Sequence, residues 1–592
     1  MSKRVTPAPS TGSERLQGNA RWMDLPVDRI KRMAVENADE WKFVLLGTFG
    51  LLLVTSLPYA VAYLTAPHDR VFMGVLLDVP DHEQYFSWMR DLSRSWLATN
   101  RLTPEPNRAV FFNLLWLMLG RVGAWFGLGI APVYQLLRFS SAFAFFASLA
   151  VVLRRFVPSW RARRLVLVLV AVGSGFGWVL VLLKYTLTQG QLLFPLDVFI
   201  AEGNSFLDVM AYPHFVAAAV YILAFELILR AWERESAAHA WGAGALALFL
   251  GLQHAYDLIL VYGVLGAYTL ARLVRDKELP RFAVASLAIV VAVSVWPAVY
   301  SVLLTRMDPI WSGVLGQFAN AGVFSPSLPH LVIVMGFPFL LALAQLITDL
   351  SRGLSGFSTN ELFVRVWFVA NVLLLYIPTD YQVHMLNGLQ VPVAILAVEF
   401  TFESIVPRVR GWWIRVRPDA VRLGAGTVMA SALVLMVVPT NIYLWTWRFV
   451  DLARAEYPYF LHVEDLEALE WLNQYADGSD VVLSSLTLGQ FVPAYTDARS
   501  FLGHWAQTLD FYEKRDMVDS FFSSETQNRW RVDLLMRYSV DYVLVGDAER
   551  SLGDFNPASV SYLRPVYRQG EMTIYRFISP DATLRPSEVG MP

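Results

Sequence analysis

The sequence predicts a polytopic α-helical membrane protein that carries a soluble α/β domain at its C-terminal end. Of its 592 residues, 55% are hydrophobic and only 17% are charged, whereas soluble domains average about 25% charged residues. About eleven apolar segments approach the roughly 20 residues that a helix needs to cross a bilayer. From residue 450 onward these segments stop, and 12 Lys and Arg stand against 22 Asp and Glu. A basic membrane body is therefore followed by an acidic soluble domain.

The composition and the motifs exclude several functional classes. An acidic C-terminal region is not a pattern for binding nucleic acid. The chain has no cysteine, so it has no disulfide, thiolate metal site or cysteine nucleophile. It contains no phosphate-binding GxxxxGK[ST] loop and no HExxH zinc motif, and these are the usual signatures of nucleotide and zinc hydrolases. The polar start lacks the apolar core of a signal peptide, so we expect residues 1–42 to form a cytoplasmic tail.

The orientation of the spans is predicted from the basic residues in the short loops, which favour the cytoplasm. Basic residues precede the first span, and "RRFVPSWRARR" follows the second. This pattern gives a transmembrane domain over 43–449 with a cytoplasmic N-terminus. The expected spans cover 43–65, 131–153, 164–186, 213–231, 240–256, 257–273, 281–304, 329–348, 364–378, 391–406 and 421–441.

The apolar segment 109–129 is also long enough to be a span. Counting it would move "RRFVPSWRARR" to the outer side and break the charge rule. We therefore expect a half-buried or re-entrant helix pair here, within a large first external loop over 67–130. An odd number of spans then places residues 450–592 outside the cytoplasm as well.

The C-terminal region alternates between helical and strand patterns. "DLEALEWLNQY" predicts a helix, "DVVLSSL" a strand, "FYEKRDMVDSFF" and "RWRVDLLMRY" two helices, "DYVLVG" a strand and "PVYRQGEMTIYRF" a hairpin. Strands that alternate with helices predict a small α/β domain with a partly parallel sheet.

Three carboxylates cluster directly after the first span, in "LLDVPDHEQYFSWMRDL". Asp78 could cap a helix that starts at Pro80, and Asp81 and Glu83 would then lie near the positive end of the helix dipole. This is a full structural explanation. The alternative is functional, because a carboxylate held at the rim of the bilayer by aromatic anchors such as Tyr85 is placed to take a proton from a bound hydroxyl.

Further polar residues interrupt apolar segments on the same expected outer face. Ionisable groups at such depth are costly, and they are candidates for function, although many such residues only cap helices or contact water. The residues are Asp197, Glu202, Asn204, Asp208, His214, His254, Asp257, His330, Asp380, Tyr381, His384 and Asn387.

The order of these parts resembles the C-type (GT-C) superfold of integral membrane glycosyltransferases, in its uncharacterised bacterial branch. "DHEQY" is similar to the acidic patch that precedes a Tyr in the first loop of that family. "MRDLSRSWLATNRLTPEPNRAVFFNLLWLMLGR" resembles the rest of that loop, and "EALEWLNQYADGSDVVLSS" resembles the start of its external soluble domain. The resemblance covers most of the chain, but its motifs are loose and none identifies a sugar.

The resemblance implies transfer of a sugar, with inversion, from a polyprenyl-phosphate donor to a glycan, lipid or protein acceptor outside the cytoplasm, at a bacterial plasma (inner) membrane. It implies Asp81 as the general base, with Glu83 and then Asp78 as reserves, and Tyr85 beside the sugar or the lipid head group. Some relatives also hold a divalent metal, for which Asp78 or Asp81 with Asp208 would be the ligands.

The phosphate of the donor needs cationic or hydrogen-bonding partners. Many members of the superfold supply an Arg from a late external loop, where this chain has His384 and Asn387 instead. Arg306, Arg90 or Arg94 could substitute for that missing Arg.

In the C-terminal domain, "GQFVPAY" and "GHW" are expected to follow strand ends, where open α/β sheets bind ligands. Tyr495, His504 and Trp505 are therefore candidates for contact with the acceptor. The alternative is that they pack where the domain docks on the membrane body.

Two other functions remain open from the sequence. A transporter or flippase of lipid-linked intermediates would use the same membrane body, although no inverted repeat relates its halves. A non-catalytic scaffold with the GT-C architecture differs from an enzyme by as little as one carboxylate.

Overall fold

The computed structural model describes residues 27–189, 200–321, 324–416 and 424–579. Residues 1–26, most of the expected tail, and the candidate Asp197 lie outside this part of the chain. Within the described residues, the membrane body up to residue 452 contains twenty α-helices, several short 3-10 or π-helical turns and one short strand. Its helices are α1 Val27–Thr65, α2 Val79–Arg94, α3 Leu114–Phe126, α4 Ile130–Phe156, α5 Trp160–Val172, α6 Gly177–Leu187, α7 Ser205–Ala211, α8 Pro213–Ala218, α9 Ile222–Arg234, α10 Ala237–Gly251, α11 Leu258–Asp276, α12 Arg281–Ser294, α13 Trp296–Met307, α14 Pro309–Ala321, α15 Leu328–Asp349, α16 Thr359–Leu374, α17 Gln390–Phe400, α18 Val406–Val416, α19 Ala425–Val437 and α20 Pro439–Leu452.

The chain is a multi-pass membrane protein, as the sequence predicts. Within the described residues, six helical segments are long and apolar enough to cross a bilayer alone, and nine spans result if each of three bent helix pairs counts as one. Two further expected spans correspond to α10 with 15 residues and α16 with 16 residues. Both are shorter than the roughly 20 residues of a typical span, so the number eleven stays a prediction.

The apolar segment at 109–129 forms one helix, α3, and not the expected pair. This helix has 13 residues and ends at Gly127, whose φ of 62° is left-handed. Thirteen residues rise only about 20 Å, which is too short to cross the ~30 Å apolar core. The placement of this segment in an external loop stays a prediction.

Three helices of the bundle are interrupted at neighbouring points. α5 and α6 meet at 45°, α19 and α20 meet at 41°, and α15 is broken at Gly336, which has a φ of 65°. The freed backbone groups bond to one another, since Ser174 N donates to Val437 O at 2.8 Å and Phe176 N donates to Ile333 O at 2.7 Å. Irregular backbone inside a membrane is stable where such partners satisfy it.

The carboxyl end of the short helix α7 is fixed by side chains of α1 and α4. The last carbonyls of a helix have no partner within the helix, and here three side chains supply the donors. Arg138 Nε donates to Val209 O at 3.0 Å, Tyr59 OH to Met210 O at 2.9 Å and Tyr134 OH to Ala211 O at 2.6 Å.

The C-terminal region contains the predicted α/β arrangement. Its five-stranded sheet has the order β4-β3-β5-β7-β6, in which β3 runs parallel to β4 and β5 while β7 runs antiparallel to β5 and β6. Its elements are α21 Val463–Tyr475, β3 Val481–Leu483, α22 Leu486–Gly489, α23 Val492–Tyr495, β4 Arg499–Ser500, α24 Phe511–Phe522, α25 Asn528–Arg537, β5 Val540–Val545, α26 Asp547–Arg550, β6 Leu563–Gln569 and β7 Met572–Phe577.

The first loop joins this region to the membrane body. Strand β1, Arg70–Phe72, pairs antiparallel with strand β2, Phe460–His462, so the chain just after α1 is bonded to the chain just after α20. Helix α2 then packs on α3 and on α23. This arrangement encloses α2 between the bundle and the C-terminal sheet.

Helices α2 and α3 approach closely at Gly120, so a substitution at this residue tests how α2 is positioned. A Cβ at this position would lie 2.3 Å from Met89 O and 3.1 Å from Ser93 N. We expect Gly120→Ala to lower the thermal unfolding midpoint in detergent, because overpacking costs about 1–3 kcal/mol. Gly266→Ala, where a Cβ meets nothing within 4 Å, is the control and should be neutral or slightly stabilising. An unchanged midpoint for Gly120→Ala would mean that α3 is free to shift.

Candidate active site

A cavity of about 380 Å³ lies between the membrane body and the C-terminal domain. Helix α2 contributes Asp78, Asp81, Gln84 and Tyr85 to one wall, and residues 504–507 of the C-terminal domain form another. The remaining lining residues come from segments 200–202 and 212–215, from Tyr256 and from 383–384. The cavity therefore brings together the first-loop acids and the C-terminal "GHW" segment.

Asp81 is bound by the C-terminal domain across this cavity. His504 Nε2 lies 2.9 Å from Asp81 Oδ1, and the side chain of His504 is 1% exposed while that of Asp81 is 29% exposed. Asp81 also takes part in a side-chain hydrogen bond with Trp505. Its carboxylate is thus held by two groups of the domain and remains open to the cavity.

The hydrogen bonds of His504 identify its tautomer. Its Nδ1 accepts from Ala506 N at 3.0 Å and from Gln507 N at 3.3 Å. A nitrogen that accepts carries no proton, so the proton of the neutral ring is on Nε2, and His504 donates to Asp81. Burial acts to raise the pKa of Asp81, but these donated hydrogen bonds outweigh it and hold the pKa below the usual range.

Asp78 does not cap α2 with its side chain, which differs from the structural explanation considered for this acid. It is the N-cap residue, with a left-handed φ of 50°, but its carboxyl makes no capping hydrogen bond. The carboxyl instead bonds to Asp81 inside the cavity. Burial and the neighbouring charge of Asp81 raise the pKa of Asp78 to about 8. At neutral pH the two acids therefore share one proton, which resides on Asp78.

The opposite wall holds a second pair of ionisable groups. His384 Nδ1 lies 2.6 Å from Glu202 Oε1. The His384 ring stacks on Tyr256, with 4.6 Å between the ring centroids. Both His384 and Glu202 line the same cavity as Asp81. This arrangement places an acid–histidine pair across the cavity from the Asp78–Asp81 pair.

His214 also lines the cavity, and the neighbouring candidates lie behind it. His214 is 3% exposed, and its Nδ1 has no hydrogen-bond partner among the described residues. His254 Nδ1 bonds to the hydroxyl of Tyr256 at 3.0 Å. Asp257 is fully buried and accepts from Asn387 Nδ2 at 3.2 Å. His254, Asp257 and Asn387 therefore support the wall and do not face the cavity.

Asp208 is buried in α7 at 2% exposure and does not line the cavity. Burial, with a contribution from the charge of Glu202, raises its pKa well above the usual range. Within the described ranges, no group of three or more His, Asp or Glu side chains is arranged to hold a metal ion. The expected set of Asp78 or Asp81 with Asp208 does not fit a divalent metal.

Glu83, the first reserve for the base, points away from the cavity. It is fully buried, and neither carboxylate oxygen has a hydrogen-bond partner in the described structure. Burial raises the pKa of Glu83 well above the usual range, because desolvation disfavours the charged carboxylate. Tyr495, which was expected to contact the acceptor, packs in α23 close to Glu83, and burial raises the pKa of its hydroxyl well above the usual range. Both residues belong to the α2–α23 contact.

The three arginines considered for the donor phosphate are also outside the cavity. Arg90 Nε and Arg94 Nη1 donate to Asp497 Oδ1, each at 2.9 Å. Arg94 Nη1 also donates to Asp497 Oδ2 at 2.8 Å. Arg306 is exposed near the end of α13 and does not line the cavity. Arg90 and Arg94 join α2 to the C-terminal domain by sharing the one carboxylate of Asp497.

The fold is similar to solved structures of membrane glycosyltransferases. The apo oligosaccharyltransferase of Archaeoglobus fulgidus matches with a TM-score of 0.51 and 13% identity, over 88% of this chain and 73% of that one. The arabinofuranosyltransferase AftD from Mycobacteria matches with a TM-score of 0.52 and 13% identity, over 90% of this chain but 41% of that one.

The chain has the GT-C fold. The expectation from the sequence resemblance is confirmed at the level of the fold. No protein-family model matches the sequence, and no curated protein matches it significantly.

Several cavity residues of this GT-C chain were not predicted. Gln84 and Gln507 line the cavity, but isolated amides give no signal in one sequence. Tyr212 and Tyr256 lie beside candidates that were identified, in "AYPH" and "HAYD", so a wider search around each His could have found them. The partner of the two arginines, Asp497, lies about 400 positions away, and no local pattern indicates it.

The contacts of Asp497 with Arg90 and Arg94 allow a test of how the membrane body and the C-terminal domain are joined. Arg90 is 18% exposed and Arg94 is 63% exposed. We expect Asp497→Asn to lower the unfolding midpoint clearly, because it leaves the guanidinium of Arg90 half-buried without its carboxylate. Arg94→Ala, which removes a more exposed pair, should change stability by less than about 1 kcal/mol. Equal losses in the two variants, measured by thermal unfolding, would contradict this ranking.

Proposed function

We propose that this protein is an inverting glycosyltransferase that moves a sugar from a polyprenyl-phosphate-linked donor to an acceptor, with Asp81 as the general base. The observation that carries the proposal is an ionised carboxylate, open to a cavity of about 380 Å³ between a membrane bundle of GT-C fold and a soluble domain. The lipid bilayer presents the donor on one side of this cavity. The seam between bundle and domain admits a glycan, lipid or protein acceptor on the other.

The reaction needs one proton transfer and one substitution. Asp81 takes the proton of the acceptor hydroxyl while the oxygen of that hydroxyl attacks the anomeric carbon of the donor sugar. The bond from that carbon to the phosphate oxygen breaks on the opposite face, so the configuration inverts and polyprenyl phosphate leaves. General bases contribute about 10²–10⁴-fold to such steps. Asp81 fits this role because it is ionised, fixed by donors and exposed to the cavity.

The leaving phosphate is held in this proposal by histidines and not by arginine. Among the described lining residues there is no Arg or Lys, whereas His214 and His384 both face the cavity. His214 has an unpartnered Nδ1, and His384 is paired with Glu202, which favours its charged form. Charge-assisted donors of this kind stabilise the developing phosphate charge.

The proposal includes a location for the protein. We propose a bacterial plasma membrane with a cytoplasmic N-terminus, so that the cavity opens on the outer side, where polyprenyl-linked sugars are consumed. The basic residues in the short loops support this orientation.

The first test is transfer of radiolabelled sugar from a panel of polyprenyl-phosphate donors in proteoliposomes. We expect the wild type to transfer and Asp81→Asn to be at least about a hundredfold slower. Asp69→Asn is the matched control, because this first-loop carboxylate is 69% exposed and lies outside the cavity. Full activity of Asp81→Asn would reject Asp81 as the base. Absence of transfer with every donor would favour the transporter or the scaffold.

The pH dependence tests the Asp78–Asp81 pair. Because the pKa of Asp78 is raised to about 8, this carboxyl is neutral below that pH and becomes a second negative charge above it. A second charge repels an anionic donor, so we expect kcat/KM for the donor to fall above about pH 8. Asp78→Asn, which stays neutral at every pH, should remove the alkaline fall. A fall that persists in this variant would belong to another group.

A further inference from the structure

We propose that His504 is a positioning residue supplied by the C-terminal domain, which donates Nε2–H to Asp81 and holds this carboxylate ionised and oriented for catalysis. Only the expected effect of His504 on the rate of sugar transfer rests on the proposed function. The contact itself joins residues more than 400 positions apart, at 2.9 Å. The site is therefore incomplete without the domain.

The loop that carries His504 is fixed from within by its own residues. Thr508 Oγ1 accepts from the backbone N–H groups of both Gly503 and His504 at 3.0 Å. Ala506 N and Gln507 N occupy the other ring nitrogen of His504. Rotation of the ring would break both of the latter bonds, so the direction of Nε2–H is set by the backbone.

The same loop is held by the membrane body on two sides. From the first loop, Asn100 Nδ2 donates to Gln507 O at 2.9 Å, and Leu102 O accepts from Thr508 Oγ1 at 2.5 Å. From α14, Gln317 Nε2 donates to Thr508 O at 2.6 Å. A catalytic group is effective when the residues around it are themselves fixed, and this loop meets that condition.

The hydrogen bonds of the His504 ring make Nε2–H the donor to Asp81. Protonation at Nδ1 would set a third N–H against the two backbone N–H groups that already point at it. The ring therefore keeps its single proton on Nε2, and the carboxylate of Asp81 keeps its negative charge available to the acceptor hydroxyl.

Other titratable groups also face Asp81, and the test must separate their effects from that of His504. They come from α2, from the segments before α7 and α8, and from the turn before α17. These groups are Asp78, His82, Tyr85, Glu202, Tyr212 and His384.

Two substitutions at His504 separate the role of the bonds that Nδ1 accepts from the role of the bond that Nε2–H donates. In His504→Asn, the side-chain oxygen can still accept from the backbone N–H groups of Ala506 and Gln507, but residue 504 no longer supplies a donor to Asp81, which keeps its bond to Trp505. In His504→Gln, the longer amide reaches the position of Nε2 and restores a donor. His239→Asn is the control for a histidine outside the site, because His239 lies in the first turn of α10 and does not line the cavity. The full-length protein in liposomes is used throughout.

The first readout is the titration of the Asp81 carboxyl, followed by infrared difference spectra and assigned by its loss in Asp81→Asn. We expect His504→Asn to raise the midpoint by about one pH unit, because a hydrogen bond to the charged form is lost. The midpoint in His504→Gln should return toward the wild-type value. An equal midpoint in wild type and His504→Asn would overturn the proposal.

The second readout is the rate of sugar transfer. We expect His504→Asn to lower kcat about ten- to a hundredfold, to leave KM for the donor nearly unchanged and to move the acid limb of the rate profile to higher pH. His504→Gln should recover part of the loss. A shifted infrared midpoint without transfer by the wild type would reject the proposed function but keep the role of His504. A change in KM alone would reject the positioning role.

Discussion

The hydrogen bond between Asp81 and His504 joins the two halves of this protein at the point where its chemistry is proposed. A carboxylate taken out of water is costly unless donors compensate it, and Asp81 obtains those donors from the C-terminal domain and not from its own helix. The domain must therefore sit in one place. The β1–β2 pair and the bonds from α2 to Asp497 hold it there, and the α2–α23 contact adds a packed surface that includes the buried Glu83.

The protonation states of the two carboxyl groups in the cavity, Asp78 and Asp81, follow from this constraint. Asp81 is ionised because it accepts hydrogen bonds, and Asp78 beside it is protonated because two adjacent carboxylates in a sheltered site cannot both be charged. Across the cavity, Glu202 is paired with His384. A site of this kind presents one free negative charge toward an acceptor hydroxyl and imidazole donors toward a phosphate. In the proposed reaction, histidines take the role that the sequence resemblance assigned to arginine.

Much of this architecture is accessible from the sequence, because apolar length, loop charge and strand–helix alternation are local patterns. The position of the cavity around α2 is accessible too. At about 100° per helical residue, Tyr85 lies about 40° from Asp81, whereas Glu83, Arg90 and Arg94 lie about 200°, 180° and 220° away. The helical period alone thus separates the cavity wall from the side that meets the domain, and it explains why these three candidates are outside the cavity. The partners His504 and Asp497 depend on tertiary contacts over 400 residues, which periodicity does not encode.

The packing inside the bundle bears on the choice between transfer and transport. Alternating access requires a path through the bundle that opens to each side in turn. Here Phe225, Phe363 and Trp367 are fully buried and in edge contact, with centroids 5.1 to 6.0 Å apart, and Tyr268 continues the cluster at 5.0 Å from Phe363. The breaks in α5–α6, α15 and α19–α20, which would be the natural hinges, are bonded to one another through their backbones. Moving a polar sugar past this cluster would require these contacts and bonds to break together. A reaction at one face, with the lipid chain remaining in the bilayer, requires none of them to break.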